Sequence, residues 1–146
     1  LTQFAKIQEG NSFWHRMGDL GRLDEKNRLW FYGRKNQRAI TKTGTLYTIP
    51  CESIFNKHPD VKRSALVGTG NRTKQEPVII IEPEKVHTIK SSRERKKFIE
   101  ELLQLGAASP LTQSIKKVLF HCNFPVDVRH NAKIFREKLS LWAEKQ

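Results

Sequence analysis

Between residues 20 and 33, the run LGRLDEKNRLWFYG places apolar side chains in two short arms around a polar centre. Leu23 closes the first arm, residues 29–32 make the second, and DEKN is the turn, which predicts a β-hairpin. The next stretch, RKNQRAITKTG, is basic and nearly free of apolar residues. That shift in composition marks a domain boundary or hinge. GTLYTIP then reads as a short strand-like run, and PCESIFNKHP as a short helix with Pro50 in its first turn and Pro59 as its stop. KRSALVGTG and PVIIIEP predict two strands, joined by the polar NRTKQE. Residues 91–105 carry the clearest helical period: Phe98, Leu102 and Leu105 share a face, Ile99 and Leu103 lie beside it, and Ser91 and Glu94 have capping-box spacing. IKKVLFHC predicts a third strand. Phe135, Leu139 and Trp142, at i, i+4 and i+7, predict a terminal helix.

The order of these elements predicts an α+β fold. A β-hairpin is followed by a small domain in which a short mixed sheet is flanked by helices, placed on one side of it. There are no internal repeats and no low-complexity tract. A length of 146 residues suits one domain, or a small domain with part of a neighbour. An apolar content of 37% is enough for a core.

Charge narrows the partners. There are 27 Lys and Arg against 15 Asp and Glu, a net +12, which favours nucleic acid, an anionic membrane surface or a phosphate-rich small molecule. The basic residues are spread along the chain with no polybasic tail, which favours phosphate ligands. Cys51 and Cys122 form no C-x-x-C pair, so the pattern predicts neither a disulfide scaffold nor a zinc site, but reduced thiols in a cytoplasmic protein. No apolar run approaches the ~20 residues of a membrane span. No signal peptide is evident, and the opening LTQFAKIQEG reads as part of something larger.

Three charged positions could carry chemistry. Asp19, in HRMGDLG, could accept two hydroxyl protons from a sugar diol; a turn aspartate capping local N–H groups is the plainer reading. Arg34, in YGRKN, could pair with a phosphate or hydroxyl, or simply be solvated at a strand end. The hairpin between them brings the two to the same side. Lys133 lies in FPVDVRHNAKIFREKL, a Pro-led loop before a helix. A cation at a helix N-terminus opposes the dipole by up to ~1 kcal/mol, which favours a functional role for it. His58 reads as surface, and His130 as a phosphate contact or solvated. Trp14, Trp30 and Trp142 read as core rather than as base-stacking platforms. Gly68 and Gly70 miss the Walker spacing and read as an ordinary turn. The scattered histidines predict no metal site, and no catalytic triad or carboxylate pair is visible.

Together these segments carry a resemblance. WHRMGDLGRLDEKNRLWFYGRK, GTLYTIPCESIFNKHPDVKRSALVG and NAKIFREKL resemble, in order, three C-terminal segments of the adenylate-forming enzymes: the acyl-CoA synthetases, luciferases and nonribosomal adenylation domains. HRMGDLG, GTLYTIPCE and FPVDVRHNAKIFREKL are similar, more narrowly, to the olefin β-lactone synthetases, a branch acting on β-hydroxy fatty acids.

The resemblance implies that residues 1–32 are the tail of a large N-terminal adenylation domain and residues 33–146 a mobile C-terminal lid. Asp19 would bind the ribose diol with Arg34 beside it. Lys133 would be the adenylation lysine, with small Ala132 letting the backbone approach the ligand. Asn36 would be the hinge, where the family usually has Asp or Lys, and Ala132 stands where it has Gly. Gly44, Thr45 and Leu46 would face a thiol tunnel or a second conformation. ATP, AMP and Mg would be held mainly by the large domain, with CoA as a further cofactor. The product would be acyl-AMP, then a β-lactone or CoA thioester, and the chain alone would be inactive. The competing reading, a basic α+β nucleic-acid-binding module, lacks an aromatic-plus-basic strand motif of the RNA-recognition kind.

Overall fold

A computed structural model describes residues 6–85, 89–127 and 129–146, and the backbone alone at 130–132. Two hairpins come first. β1 (Lys6–Glu9) pairs with β2 (Ser12–His15), and β3 (Asp19–Leu23) with β4 (Leu29–Arg34). The second is the expected one, and Asp24 organises its turn. Its carboxylate accepts the backbone N–H groups of Lys26 at 2.9 Å and Arg28 at 3.0 Å, and Trp30 Nε1–H at 3.0 Å.

The basic connector is more structured than its composition suggests. It folds as a single 3-10 turn (Lys35–Gln37) and a hairpin of β5 (Ala39–Thr41) with β6 (Gly44–Leu46), and Ala39 is completely buried. The strand-like GTLYTIP stops at Leu46, and α1 (Thr48–Phe55) begins there. Pro50 sits in its first turn, where the missing N–H has no helical partner.

β7 (Val61–Thr69) pairs antiparallel with β8 (Glu76–Pro83), which pairs in parallel with β9 (Lys117–Phe120). α2 (Ser92–Ala107) makes the crossover that a parallel pair requires. The chain ends with the short pair β10 (Val126–Asp127) and β11 (His130–Ile134), then α3 (Arg136–Ala143).

The sheet is covered on both faces, not on one. Leu66, Ile79 and Ile81 pack against Phe55 of α1 and against Phe98 and Leu102 of α2. The alternate residues Ala65, Val67, Val78 and Ile80 pack against Phe124, Ile134, Leu139 and Ala143. The reason lies in β8 itself: residues 78–81 are an unbroken apolar run, as in a strand buried on both sides. Each fully buried Leu, Ile or Phe contributes about 1.5–3 kcal/mol, so neither layer is dispensable.

Other expectations need correction. Ser91 is the N-cap of α2 but makes no side-chain capping bond, so the capping box does not form. Phe135 is the N-cap of α3, and Leu139 and Ala143 are its buried residues, while Trp142 is only half-buried. Trp14 and Trp30 are 64% and 50% exposed, so neither is a core residue; both sit on two-stranded hairpins too thin to enclose a large ring. His58 is not on the surface: its ring lies 4.9 Å from that of Phe98 and it faces Glu101. Cys51 is buried and Cys122 exposed, and both are free thiols. Among the described residues, no helix is long and apolar enough to cross a membrane.

Candidate functional site

The site is built from the end of the second hairpin. The β3–β4 register sets Asp19 directly opposite Arg34. Arg34 Nε lies 3.1 Å from Asp19 Oδ1, and Arg34 Nη1 donates to the Met17 carbonyl. One step on, Lys35 N–H donates to Gly18 O at 2.8 Å, which stitches the strand ends together. Asp19 Oδ2 has no partner among the described residues and is left as an acceptor. Just before Arg34, Gly33 has φ +105, and a Cβ there would lie 2.3 Å from Thr48 Oγ1. Only glycine lets β4 come this close to the first turn of α1.

Lys133 is not in a loop. It lies on β11, paired antiparallel with β10 in the register Val126↔Ile134 and Asp127↔His130 with an irregularity between them. Backbone pairing satisfies the groups that a loop would leave open. Ile134 is 7% exposed in the second core layer, so the alternating strand geometry turns Lys133 outward, where it is exposed. Lys133 is on the strand two residues before the α3 N-cap, Phe135, and not in the helix's first turn. Among the described residues it makes no ion pair. The readings of Ala132 and His130 as ligand-approach positions fall outside the described side chains.

These elements converge. A cleft of about 670 Å³ is lined by Arg34, Lys35, Asn36, Arg38, Lys133 and Glu137, among others. Arg34 and Asn36 therefore face one space with Lys133, about a hundred positions away in sequence, and Asp19 pairs with Arg34. Four cations against one carboxylate suit a polyanionic ligand. Gly44, Thr45 and Leu46 lie elsewhere. They border a larger and more apolar cavity of about 1130 Å³, walled by Trp30, Tyr32, Ile49 and Leu111.

Three residues that sequence reasoning passed over hold this arrangement. Glu52 is 5% exposed, yet carries a carboxylate. Its Oε1 accepts Arg136 Nε–H at 2.9 Å and its Oε2 accepts Arg136 Nη2–H at 2.6 Å. Oε1 also accepts Leu66 N–H from the sheet at 2.8 Å. Burial pushes the Glu52 carboxyl above its ordinary range, and the bonds and charge of Arg136 pull it back. Gln37 completes the set by reaching from the connecting turn to both Arg136 and Glu137. A signal existed: Glu52 sits between Cys51 and Phe55 on the buried face of α1, where a lone carboxylate demands a cation.

No protein-family model matches the chain. The chain is 48% identical over 151 aligned positions to an olefin beta-lactone synthetase of Xanthomonas campestris pv. campestris, covering 99% of this chain and 26% of that protein. The chain belongs to the adenylate-forming enzymes. An olefin beta-lactone synthetase of Stenotrophomonas maltophilia is 43% identical over 147 positions, covering 97% of this chain and 26% of its own length. This adenylate-forming chain thus spans about a quarter of the length of the curated relatives it matches, corresponding to their C-terminal portion. Among solved structures, an ATP-bound RpMatB-BxBclM chimera superposes with a TM-score of 0.72 at 22% identity, over 93% of this chain and 26% of the other. That likeness establishes the α+β fold as one found in adenylate-forming enzymes.

Proposed function

We propose that residues 33–146 are the mobile lid of an ATP-dependent ligase that forms an acyl adenylate, and that residues 1–32 are the tail of its large domain. The observation that carries this reading is the shared cleft of Arg34, Asn36 and Lys133. Lys133 meets the substrate carboxylate and the α-phosphate as they join. Two anions repel at that moment, and negative charge grows on the transferring oxygens. An exposed ammonium with no ion pair of its own is available to offset both. Arg34 and the open oxygen of Asp19 take the ribose hydroxyls. The Mg that accompanies ATP is held mainly by the large domain. The chain alone is then catalytically inert.

Asn36, exposed in the turn between β4 and β5, is the hinge about which the lid swings after adenylation. The swing removes Lys133 and presents the cavity at Gly44, Thr45 and Leu46. Similarity to the olefin beta-lactone synthetases supports a fatty acid, specifically a β-hydroxy acid, as substrate and a β-lactone as product, with a CoA thioester as the alternative outcome of the same adenylate. Free Cys51 and Cys122 fit a reducing, cytoplasmic setting.

Lys133→Ala tests the reading in the ligase that joins this chain to its large domain. Loss of one preorganised donor costs about 10²–10³ in rate. ATP–pyrophosphate exchange should fall by that factor, while consumption of supplied acyl adenylate stays near normal. Equal loss in both steps would make Lys133 a structural residue and overturn the proposal.

A further inference from the structure

Tyr32 lies on β4, before Asn36, and Tyr47 is the N-cap of α1, after it. Their rings pack with centroids 4.9 Å apart and planes tilted by 30°. Gly33 and Thr48, the next residue on each side, are both buried, and the missing side chain of Gly33 leaves room for Thr48 Oγ1 and Ile49. This seam joins residues on opposite sides of the connecting turn, and each of its walls is anchored. Tyr32 is two residues from Arg34 on the same strand, where the register sets Arg34 against Asp19. Tyr47 opens the helix whose Glu52 grips Arg136, three residues beyond Lys133. A continuous path of packed and bonded groups thus runs from Arg34, through the two rings, to Lys133.

We propose that Tyr32 and Tyr47 are positioning residues: their ring pair, with Thr48 seated on Gly33, keeps Arg34 and Lys133 on one cleft and opens when the lid swings. The inference rests on the reading of the turn as a hinge. Rotation at Asn36 carries Tyr47 and Thr48 away with the lid and leaves Tyr32 and Gly33 behind, so the seam cannot survive the swing. An aromatic pair shifts an equilibrium about twofold to tenfold. That is enough to favour one arrangement and little enough to release on every cycle.

Thiol labelling of this chain reads the seam directly. In a Cys122→Ser background, Thr48→Cys puts a thiol at a position 2% exposed, which a maleimide reaches when α1 parts from β4. Tyr32→Leu and Tyr47→Leu should each speed that labelling about twofold to tenfold. The double variant should be no faster than either, and Tyr47→Phe, which keeps the ring, should hold the starting rate. Cys51, three residues on in the same helix and buried in the first core layer, should stay unlabelled throughout. Unchanged labelling in both leucine variants, effects that add in the double, or equal speeding by Tyr47→Phe overturns the seam. So does labelling of Cys51 at the same rate, which would make the rings supports of the lid's own fold. In the joined ligase, Tyr47→Leu should slow ATP–pyrophosphate exchange about twofold to tenfold, and Tyr47→Phe should not. Lys133→Ala in the same assay separates the failures. If it abolishes exchange and Tyr47→Leu does not slow it, the rings position nothing and the proposal falls. If Lys133→Ala has no effect, the proposed function is wrong, and the thiol measurement alone judges the seam.

Discussion

Arg136→Ala probes the buried pair on which the cleft is mounted. Glu52 is 5% exposed in the intact chain, and the substitution leaves its carboxylate with Leu66 N–H as its remaining partner among the bonds described. An orphaned buried charge of this kind costs about 3–5 kcal/mol. Against a total stability of about 5–15 kcal/mol, that is at least a fifth of the fold. At about 2–4 °C per kcal/mol for a chain of this size, the melting temperature should fall by roughly 6–20 °C.

The deficit should also depend on pH, with a definite sign. Burial already raises the folded-state pKa of Glu52 above its ordinary 4.5, and Arg136 opposes the rise. Removing Arg136 raises it further. Between the unfolded and folded values the native state of the variant holds the extra proton, so its stability falls as pH rises through that window. The gap to the unmutated chain is then full above the raised pKa and narrows as pH drops toward 4.5. Thermal melts followed by circular dichroism across acidic to neutral pH measure both effects. A loss under about 1 kcal/mol, as for an exposed pair, or a gap that widens on acidification, would refute the reasoning.

Two further outcomes follow from geometry. Gly33→Ala forces a side chain into φ +105 and against Thr48 Oγ1; it should cost about 1–3 kcal/mol in backbone strain alone, and an unchanged denaturant midpoint would contradict the close packing of β4 on α1. For the thiols, burial, aided by the charge of Glu52, pushes Cys51 up to about 11, so at neutral pH a maleimide should label one thiol of the native chain, exposed Cys122, and reach Cys51 only on unfolding; rapid labelling of both would refute that burial.

The parts of the fold that could be read from sequence are those set by short-range rules. The β3–β4 hairpin announces itself through two apolar arms and a turn that Asp24 closes. Its symmetry also made the Asp19–Arg34 pairing foreseeable. The strand status of Lys133 was not foreseeable in this way. β10 is two residues long and its register shifts, so no period can be seen. The second core layer was hidden because residues 78–81 are apolar throughout and alternation vanishes when both faces are buried. The Glu52–Arg136 pair spans 84 positions. With 27 Lys and Arg in the chain, nothing local says which of them answers one buried carboxylate.

The two-faced sheet also has a consequence for synthesis. Ala65, Val67, Val78 and Ile80 are laid down early, but the side chains that cover them run to Ala143. At about 5–20 residues per second, the ribosome needs roughly 3–12 seconds to supply the rest. Through that interval the nascent chain carries a greasy panel open to water, the kind of surface chaperones capture. A premature stop codon between β9 and the end of α3 would release a half-dressed sheet, bound for the proteases even though every strand of it had been made.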